Sequence, residues 1–177
     1  MSQFNLQPIL ENEFVKIRPL TKSDFEELYT VASDPLIWEQ HPNPDRYKRA
    51  VFETFFKGAI ESGGAFIIFD KQTNEVIGSS RYYDYDEKNK SILIGYTFFA
   101  RNHWGGKYNS SVKQLMIQHA FQFVDTVIFH IGANNIRSQK AIERLGAIKI
   151  DELEVKYYGE ESKLNFVYEI RKGDLKK

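Results

Sequence analysis

The chain has 177 residues, of which 42% are hydrophobic and 27% charged, an ordinary balance for one soluble globular domain with a sizeable core. Its 24 basic and 24 acidic residues cancel, which argues against binding of nucleic acid or anionic membranes through bulk charge. Without cysteine, disulfides, thiolate catalysis and thiolate metal sites are excluded. No apolar run approaches a membrane span and the N-terminus lacks signal-peptide features, which favours a cytoplasmic protein.

The chain is a succession of short elements without an internal repeat. Alternating or short apolar segments bounded by turn residues predict seven strands, over Phe14–Leu20, Ala65–Phe69, Val76–Tyr85, Ser91–Ala100, Thr126–Ile131, Ala147–Tyr157 and Leu164–Arg171. Apolar residues at spacings of three and four predict four helices, over Phe25–Ala32, Asp45–Ser62, Val112–Val124 and Asn134–Leu145. Between the first two helices, Trp38–Pro44 is predicted as a loop with exposed aromatic and ionisable groups.

This order predicts an α/β (α+β) fold in one domain, residues 1–177, with Lys172–Lys177 as a flexible tail. We expect a single mixed, largely antiparallel sheet of seven strands with helices on both faces. The strands Ser91–Ala100 and Thr126–Ile131 should be parallel, because the helix between them crosses back over the sheet in a right-handed sense.

The chemistry concentrates in the turn before the third helix. Gly105 and Gly106 permit a sharp turn and close approach of a ligand to the backbone, and Tyr108–Ser111 offers a helix start. This turn and its helix contain no Asp or Glu, but Lys107 precedes the helix and Lys113 lies in its first turns. Cations are unfavourable at the positive end of a helix unless an anion completes the site. The pattern therefore predicts a phosphate cradle; the alternative is a glycine-containing loop before an ordinary surface helix.

Several short segments carry a resemblance to a known family. They are Trp104–Asn109, Asn135–Ser138 with Leu145 and Gly146 behind it, Asp34–Trp38, Ile77–Arg81 and Ile94–Thr97. In order and spacing they resemble the GNAT superfamily of acetyl-CoA-dependent N-acetyltransferases, most of all the RimJ/RimL type of ribosomal-protein N-terminal acetyltransferase. The likeness covers nearly the whole chain. It implies the GNAT fold, acetyl-CoA as co-substrate, and acetyl transfer to a primary amine by direct attack.

In that family the turn before the third helix binds the CoA pyrophosphate through backbone N–H groups. The resemblance therefore implies cofactor binding by Gly105, Gly106, Lys107, Tyr108, Asn109, Ser110 and Ser111. It also implies that the fourth and fifth predicted strands splay, so that pantetheine pairs with the backbone of Phe98 and Phe99. Asn135 would bond the same arm and Ser138 would lie near the sulfur. Helix capping alone also explains Asn135 and Ser138, and both interpretations stay open.

Two departures from the family leave the chemistry partly open. Many relatives carry Glu where this chain has Leu93, and many place Tyr near the thiol where it has Ile142. Ser138 is then the motif-matched proton donor to the leaving thiolate, and a backbone N–H around Tyr96 could stabilise the oxyanion. The general base stays open among Glu39, His41, Asp84 and a water chain that ends on Tyr96.

The acceptor is the least defined partner. Its candidate contacts are Trp38, Glu39, His41, Arg81 and Asp84, and the segments Ile37–Pro44 and Tyr157–Ser162 should select it. A protein N-terminal α-amine, an aminoglycoside-like or polyamine compound, and an amino acid are all compatible with the sequence.

Other partners are not indicated. His103, His119 and His130 lack the spacing of metal ligands and are interpreted as structural or surface groups, so no metal is expected, nor any nucleic acid or membrane. A monomer and a homodimer both stay open. The alternatives to an enzyme are a non-catalytic acyl-CoA-binding module on the same fold and, more remotely, a nucleotide-binding protein that uses the glycine turn for another phosphate.

Overall fold

The molecule is built on one mixed sheet. The computed structural model describes residues 3–156 and 160–176. Its strands are β1 (Leu10–Glu11), β2 (Val15–Pro19), β3 (Ala65–Asp70), β4 (Val76–Asp86), β5 (Ser91–Phe99), β6 (Thr126–Gly132), β7 (Ile148–Lys156) and β8 (Ser162–Arg171). Their order in the sheet is β1-β2-β3-β4-β5-β6-β8-β7. Neighbouring strands are antiparallel except β5 and β6, which are parallel.

Helices cover both faces of this sheet. They are α1 (Phe25–Ala32), α2 (Arg49–Ser62), α3 (Lys107–Ala120) and α4 (Ile136–Arg144). Helices α3 and α4 bury residues such as Val112 and Ile142 in one core, and α1 and α2 bury Leu28 and Phe52 in a second core. Alternate residues of β3 enter the two cores, as the period of two in a strand requires.

The predicted fold class is confirmed, with three differences of detail. The sheet has eight strands rather than seven, because Leu10–Glu11 pairs with β2 over a length too short to show alternation in the sequence. Helix α2 begins at Arg49 rather than Asp45, since the chain is still extended at Lys48 (ψ 133°). Helix α3 is shifted towards the N-terminus: it begins directly after Gly106 and gives way to turns after Ala120.

Trp38 is buried, contrary to the prediction of an exposed loop. Its side chain is 1% exposed, and its indole N–H donates to the carbonyl oxygen of Ala32 at 2.8 Å. The ring packs against Phe55 and Phe98, with centroid distances of 5.8 and 4.9 Å. Because these partners belong to α2 and β5, Trp38 fastens the loop after α1 to the sheet.

The predicted tail contacts the body of the protein over its described residues. The backbone N–H of Lys176 donates to the carbonyl of Leu145, and Leu175 packs against the first core. Of the segment Tyr157–Ser162, residues 157–159 lie outside the described residues, as does Lys177. No described helix is both long and apolar enough to cross a membrane.

We predict that Trp38→Phe lowers the free energy of unfolding by about 1–3 kcal/mol, because it removes the donor to Ala32 and leaves a void in the second core. Urea unfolding followed by circular dichroism measures this loss. The control is Leu36→Ala in the same turn, which is exposed and should change stability by less than about 0.5 kcal/mol. Equal stability of Trp38→Phe and wild type would contradict the structural role.

Candidate active site

A slot opens where β5 and β6 separate, as the resemblance implied. The two strands pair only through Ser91–Leu93 and Thr126–Ile128. Beyond that point, residues 94–99 and 129–132 line opposite walls of a cavity of about 860 Å³, a size typical of small-molecule sites. The edge of β5 that faces this cavity is thus available to an extended ligand.

A β-bulge lies at the point of separation. The register of β5 against β4 shifts by one residue between Gly95 and Phe98, and Tyr96 has a left-handed backbone (φ 55°). An extra residue in one strand bends it and redirects its backbone groups. The bulge therefore turns β5 away from β6 beside the cavity, and Tyr96 and Phe98 both line the wall.

The glycine turn at the other end of β5 has the geometry of an anion site. Gly105 and Gly106 have φ values of 81° and 147°, which L-residues with a side chain rarely adopt. Gly106 is the N-cap of α3, and no side chain caps the helix in the described structure. The N–H groups of the first turn of α3 thus have no partner within the helix and are available to a ligand.

Asp70, at the end of β3, holds this turn in place. Its Oδ2 accepts a hydrogen bond from the Tyr108 hydroxyl at 3.1 Å and lies 3.1 Å from Nε2 of His103. Burial would raise the pKa of Asp70, but hydrogen bonds from the Gln72 backbone, His103 and Tyr108 outweigh it and lower this pKa below its usual value. The Tyr108 side chain therefore faces Asp70. Tyr108 can contact a ligand in the cavity through its backbone.

Of the two predicted cations, only Lys107 is exposed. Lys113 is 4% exposed, and its Nζ donates to Oγ1 of Thr97 at 2.7 Å. Burial lowers the pKa of Lys113 to about 7, because desolvation penalises the charged ammonium. Both side chains line the cavity. Lys107 thus lies exposed beside the glycine turn, whereas Lys113 is neutral in a large fraction of molecules at pH 7.

The start of α4 forms the facing wall. Asn135 caps the helix: its Oδ1 accepts from the backbone N–H of Ser138 at 3.3 Å. Asn135 is 4% exposed, and both residues line the cavity. The capping interpretation therefore holds for the Asn135 side chain, whereas Ser138 contributes its backbone to the cap and its hydroxyl is not needed there.

The loop after α1 contacts the start of α4 and β6 beside the slot. Gln40 Oε1 accepts from the backbone N–H of Arg137 at 3.1 Å, and the ring of Pro42 packs over Gly132 of β6. Between them His41 lines the cavity. Burial, followed by the charges of Arg46 and Arg137, lowers the pKa of His41 well below its usual value. The imidazole is therefore neutral at pH 7.

The remaining acceptor candidates from the sequence are not in the wall that the described residues form. Trp38 is in the second core, Arg81 is buried behind Tyr96, and Glu39 and Asp84 are exposed. Among the cofactor candidates, Ser111 is buried in α3, while Phe98, Phe99, Gly105, Gly106, Lys107, Asn109 and Ser110 line the cavity.

Among the cavity residues that sequence reasoning missed are His130, Arg46 and Arg137. On β6, His130 lies between the core residues Phe129 and Ile131. Because successive side chains of a strand point to opposite faces of the sheet, this alternation indicates that His130 faces away from that core. Burial lowers its pKa below the usual value. Nothing in the local sequence marked the two arginines.

The described residues contain no group of three or more His, Asp or Glu side chains that could hold a metal ion.

The geometry agrees with comparisons to known proteins. The sequence model of a family described as an acetyltransferase (GNAT) domain matches residues 15–148. Among curated proteins, the chain is 32% identical over 85 residues to the uncharacterized N-acetyltransferase p20 of Bacillus licheniformis. That match covers 48% of this chain and 43% of the relative, so less than half of either protein is aligned.

Solved structures share the fold over most of the chain. A GCN5-related N-acetyltransferase from Brucella melitensis has a TM-score of 0.78 at 20% identity, covering 93% of this chain and 79% of that one. Spermidine N-acetyltransferase from Vibrio cholerae, solved with CoA and spermine, has a TM-score of 0.65 at 16% identity, covering 92% and 98%. The microcin C7 self-immunity acetyltransferase MccE, solved with acetyl-CoA and AMP, has a TM-score of 0.68 at 16% identity, covering 90% and 93%.

We predict that burial of Lys113 makes stability depend on pH. Its folded pKa of about 7 lies below the unfolded value of about 10.4, so between these values the unfolded chain binds more protons and stability rises with pH. From pH 7 to pH 9 the free energy of unfolding should rise on the order of 2 kcal/mol more in wild type than in Lys113→Met.

Urea unfolding at the two pH values tests this, with the exposed Lys107→Met as the control that should behave like wild type. The same pH dependence in wild type and Lys113→Met would contradict a depressed pKa at this position.

Proposed function

The chain belongs to the GNAT family of acetyltransferases, and on that premise we propose that it is an acetyl-CoA-dependent N-acetyltransferase that moves an acetyl group to a primary amine by direct attack. The observation that carries the proposal is the continuity of one cavity. It runs from the uncapped start of α3, along the splayed edge of β5, to the loop Ile37–Pro44. A phosphorylated acyl donor and an amine can meet there in one slot, which supplies acceleration through proximity.

The residues of the slot fit acetyl-CoA as the donor. We assign its pyrophosphate to the backbone of Gly105–Ser111 with Lys107 beside it, because the glycine N-cap leaves that turn open. The backbone of Phe98 and Phe99 is assigned to the pantetheine arm. Asn135 uses Oδ1 in the helix cap, so its Nδ2 is the atom assigned to the same arm. When bound, acetyl-CoA supplies an activated acyl group.

An imidazole is the proposed proton acceptor for the amine. An ammonium group must lose a proton before it can attack, and an imidazole that is neutral at pH 7 has a free ring nitrogen to receive it. His41 and His130 both line the cavity and both have lowered pKa values. Glu39 and Asp84 are exposed and outside the wall. We therefore favour His41, followed by His130, where many relatives use a carboxylate.

Ser138 is the proposed proton donor to the leaving thiolate, because it lines the cavity and its hydroxyl is not used in the helix cap. The backbone around Tyr96 is the proposed oxyanion site, since the bulge redirects its N–H groups at the splay. Burial raises the pKa of Tyr96, so its hydroxyl stays protonated and can hold a water molecule beside the amine.

We place the protein nearest to RimJ/RimL-like enzymes, with a protein N-terminal α-amine or a small-molecule amine as acceptor. The supporting features are the motifs Asp34–Trp38 and Trp104–Asn109. We further propose a cytoplasmic enzyme that works as a monomer or homodimer, without metal. One observation favours the alternative of a non-catalytic acyl-CoA-binding module: the described cavity wall contains no carboxylate to act as base.

The test is calorimetric titration with acetyl-CoA, followed by release of free thiol across amines and N-terminal peptides, with mass spectrometry of the acetylated product. The proposal predicts binding and thiol release with at least one acceptor class. Binding with no release on any amine would favour the module. Absence of acetyl-CoA binding would contradict both functions.

We predict that Ser138→Ala lowers kcat by at least about tenfold while acetyl-CoA affinity and stability stay near wild type. Alanine keeps the backbone N–H that Asn135 caps but removes the proton donor. The comparison variant Asn135→Ala should instead lose about 1 kcal/mol of stability, because it loses the cap. Steady-state kinetics and thermal unfolding of the two variants separate the loss of kcat from the loss of stability. Lost stability with normal kcat in Ser138→Ala would contradict its catalytic role.

A further inference from the structure

The cavity wall is cationic although the chain as a whole is neutral. Among the described residues, seven Lys or Arg side chains line the cavity and no Asp or Glu does, whereas the sequence has 24 of each class. Lys107 lies at the glycine turn, Lys140 and Arg144 lie on α4, and Lys176 lies beside the end of α4. In the proposed mode of CoA binding, its phosphates account for these four. Lys113 is hydrogen-bonded to Thr97, and Arg137 stacks on Trp104. Arg46, in the segment before α2, needs another explanation.

Arg46 lies at what we call the acceptor end of the cavity, formed by His41, Arg46, Tyr96 and His130. It is 2% exposed, and its guanidinium makes a two-pronged ion pair with Glu160, with both N–O distances 2.6 Å. The Glu160 side chain is likewise buried, at 7% exposure. This carboxylate neutralises one positive charge at the acceptor end.

A second buried guanidinium lies behind the same wall. The guanidinium carbons of Arg46 and Arg81 are 5.1 and 5.5 Å from the ring centroid of Phe55, and that of Arg81 is 3.7 Å from the ring centroid of Tyr96. Arg81 is 4% exposed, and its Nε has no hydrogen-bond acceptor among the described residues. Its one hydrogen bond there is a long one, 3.4 Å, to the Phe55 carbonyl.

Among the described residues, the Glu160 carboxylate is thus paired with Arg46 and acts on Arg81 only through its charge. An uncompensated buried charge is strongly unfavourable, and the neighbouring imidazoles carry no negative charge that could compensate it. A negative group entering the acceptor end would balance this charge and would accept charge-assisted hydrogen bonds in a poorly hydrated site. A polycationic amine would be repelled by the positive charge at this end of the cavity.

We propose that the acceptor is a small amine that also carries an anionic group, a carboxylate or a phosphate, bound by Arg46 within the field of Arg81, and that polyamines and aminoglycosides are excluded. This inference rests on the proposed acetyl transfer to an amine. It narrows the acceptor class from amines in general to amines with a negative charge a few bonds away.

The test compares matched amines on the full chain. Glycine is paired with glycinamide, β-alanine with β-alaninamide, O-phosphoethanolamine with ethanolamine, and spermidine is the polycation. Thiol release gives kcat/KM, and calorimetric titration of each amine into the CoA-saturated protein gives affinity. For each carboxylate acceptor, we expect kcat/KM at least about tenfold above that of the matching amide. The amino group of the amide is less basic and more of it is unprotonated, so amine basicity alone would predict the opposite order. Comparison of O-phosphoethanolamine with the two amino acids shows whether the site prefers a phosphate or a carboxylate.

The variant Arg46→Met/Glu160→Met separates recognition from folding, because removal of both partners leaves no lone buried carboxylate. It should bring the acid-to-amide ratio of kcat/KM close to one while acetyl-CoA affinity stays near wild type. A merely structural effect would lower both rates and preserve the ratio. The exposed pair Arg49 and Glu26 provides the matched control, since Arg49→Met/Glu26→Met should keep the wild-type ratio.

The outcomes are distinct. Preference for the anionic amines that depends on Arg46 supports the inference. Equal or better turnover of amides or spermidine overturns it and leaves acetyl transfer intact. Arg46-dependent binding of the anionic amines without thiol release supports the anion site and overturns the proposed transferase. If the anionic amines neither bind nor react, the inference is overturned.

Discussion

The site depends on one constraint of the sheet: parallel pairing between β5 and β6 stops after three residue pairs. The bulge at Tyr96 bends β5 away from β6. Beyond the bulge, β5 no longer pairs with β6, and its residues line the cavity instead. The backbone N–H and C=O groups on this edge of β5 have no neighbouring strand. An extended ligand can form hydrogen bonds with them, as another strand of the sheet would. The slot is therefore a direct consequence of the fold.

The two ends of the slot are anchored by long-range contacts. At one end, Asp70 ties the turn before α3 to β3 through His103 and Tyr108. At the other, Trp38 fixes the loop after α1 against α2 and β5. Both ends thus rest on rigid elements, which is what precise positioning of donor and acceptor requires. The cavity between them concentrates positive charge in a chain whose total charge is zero.

Patterns local in sequence were enough to predict much of this. Alternation and helical spacing gave the strands and helices that build the sheet, and the glycine pair with Lys107 marked the turn that proved to be an uncapped helix start. What could not be predicted depends on tertiary contact. Asp70 lies more than thirty residues from the turn that it holds, and the Arg46–Glu160 pair spans 114 positions. Burial of Lys113 and Trp38 likewise follows from packing, which sequence periodicity resolves only for apolar stripes.

Hydrogen exchange with and without acetyl-CoA, read by mass spectrometry, tests the central claim most directly, because it reports backbone N–H groups one segment at a time. The account predicts slowed exchange in two separate segments, residues 96–99 of β5 and residues 105–111 at the start of α3, with little change in β1 and β2. Protection confined to another part of the chain, or none at saturating acetyl-CoA, would contradict the assignment of this slot.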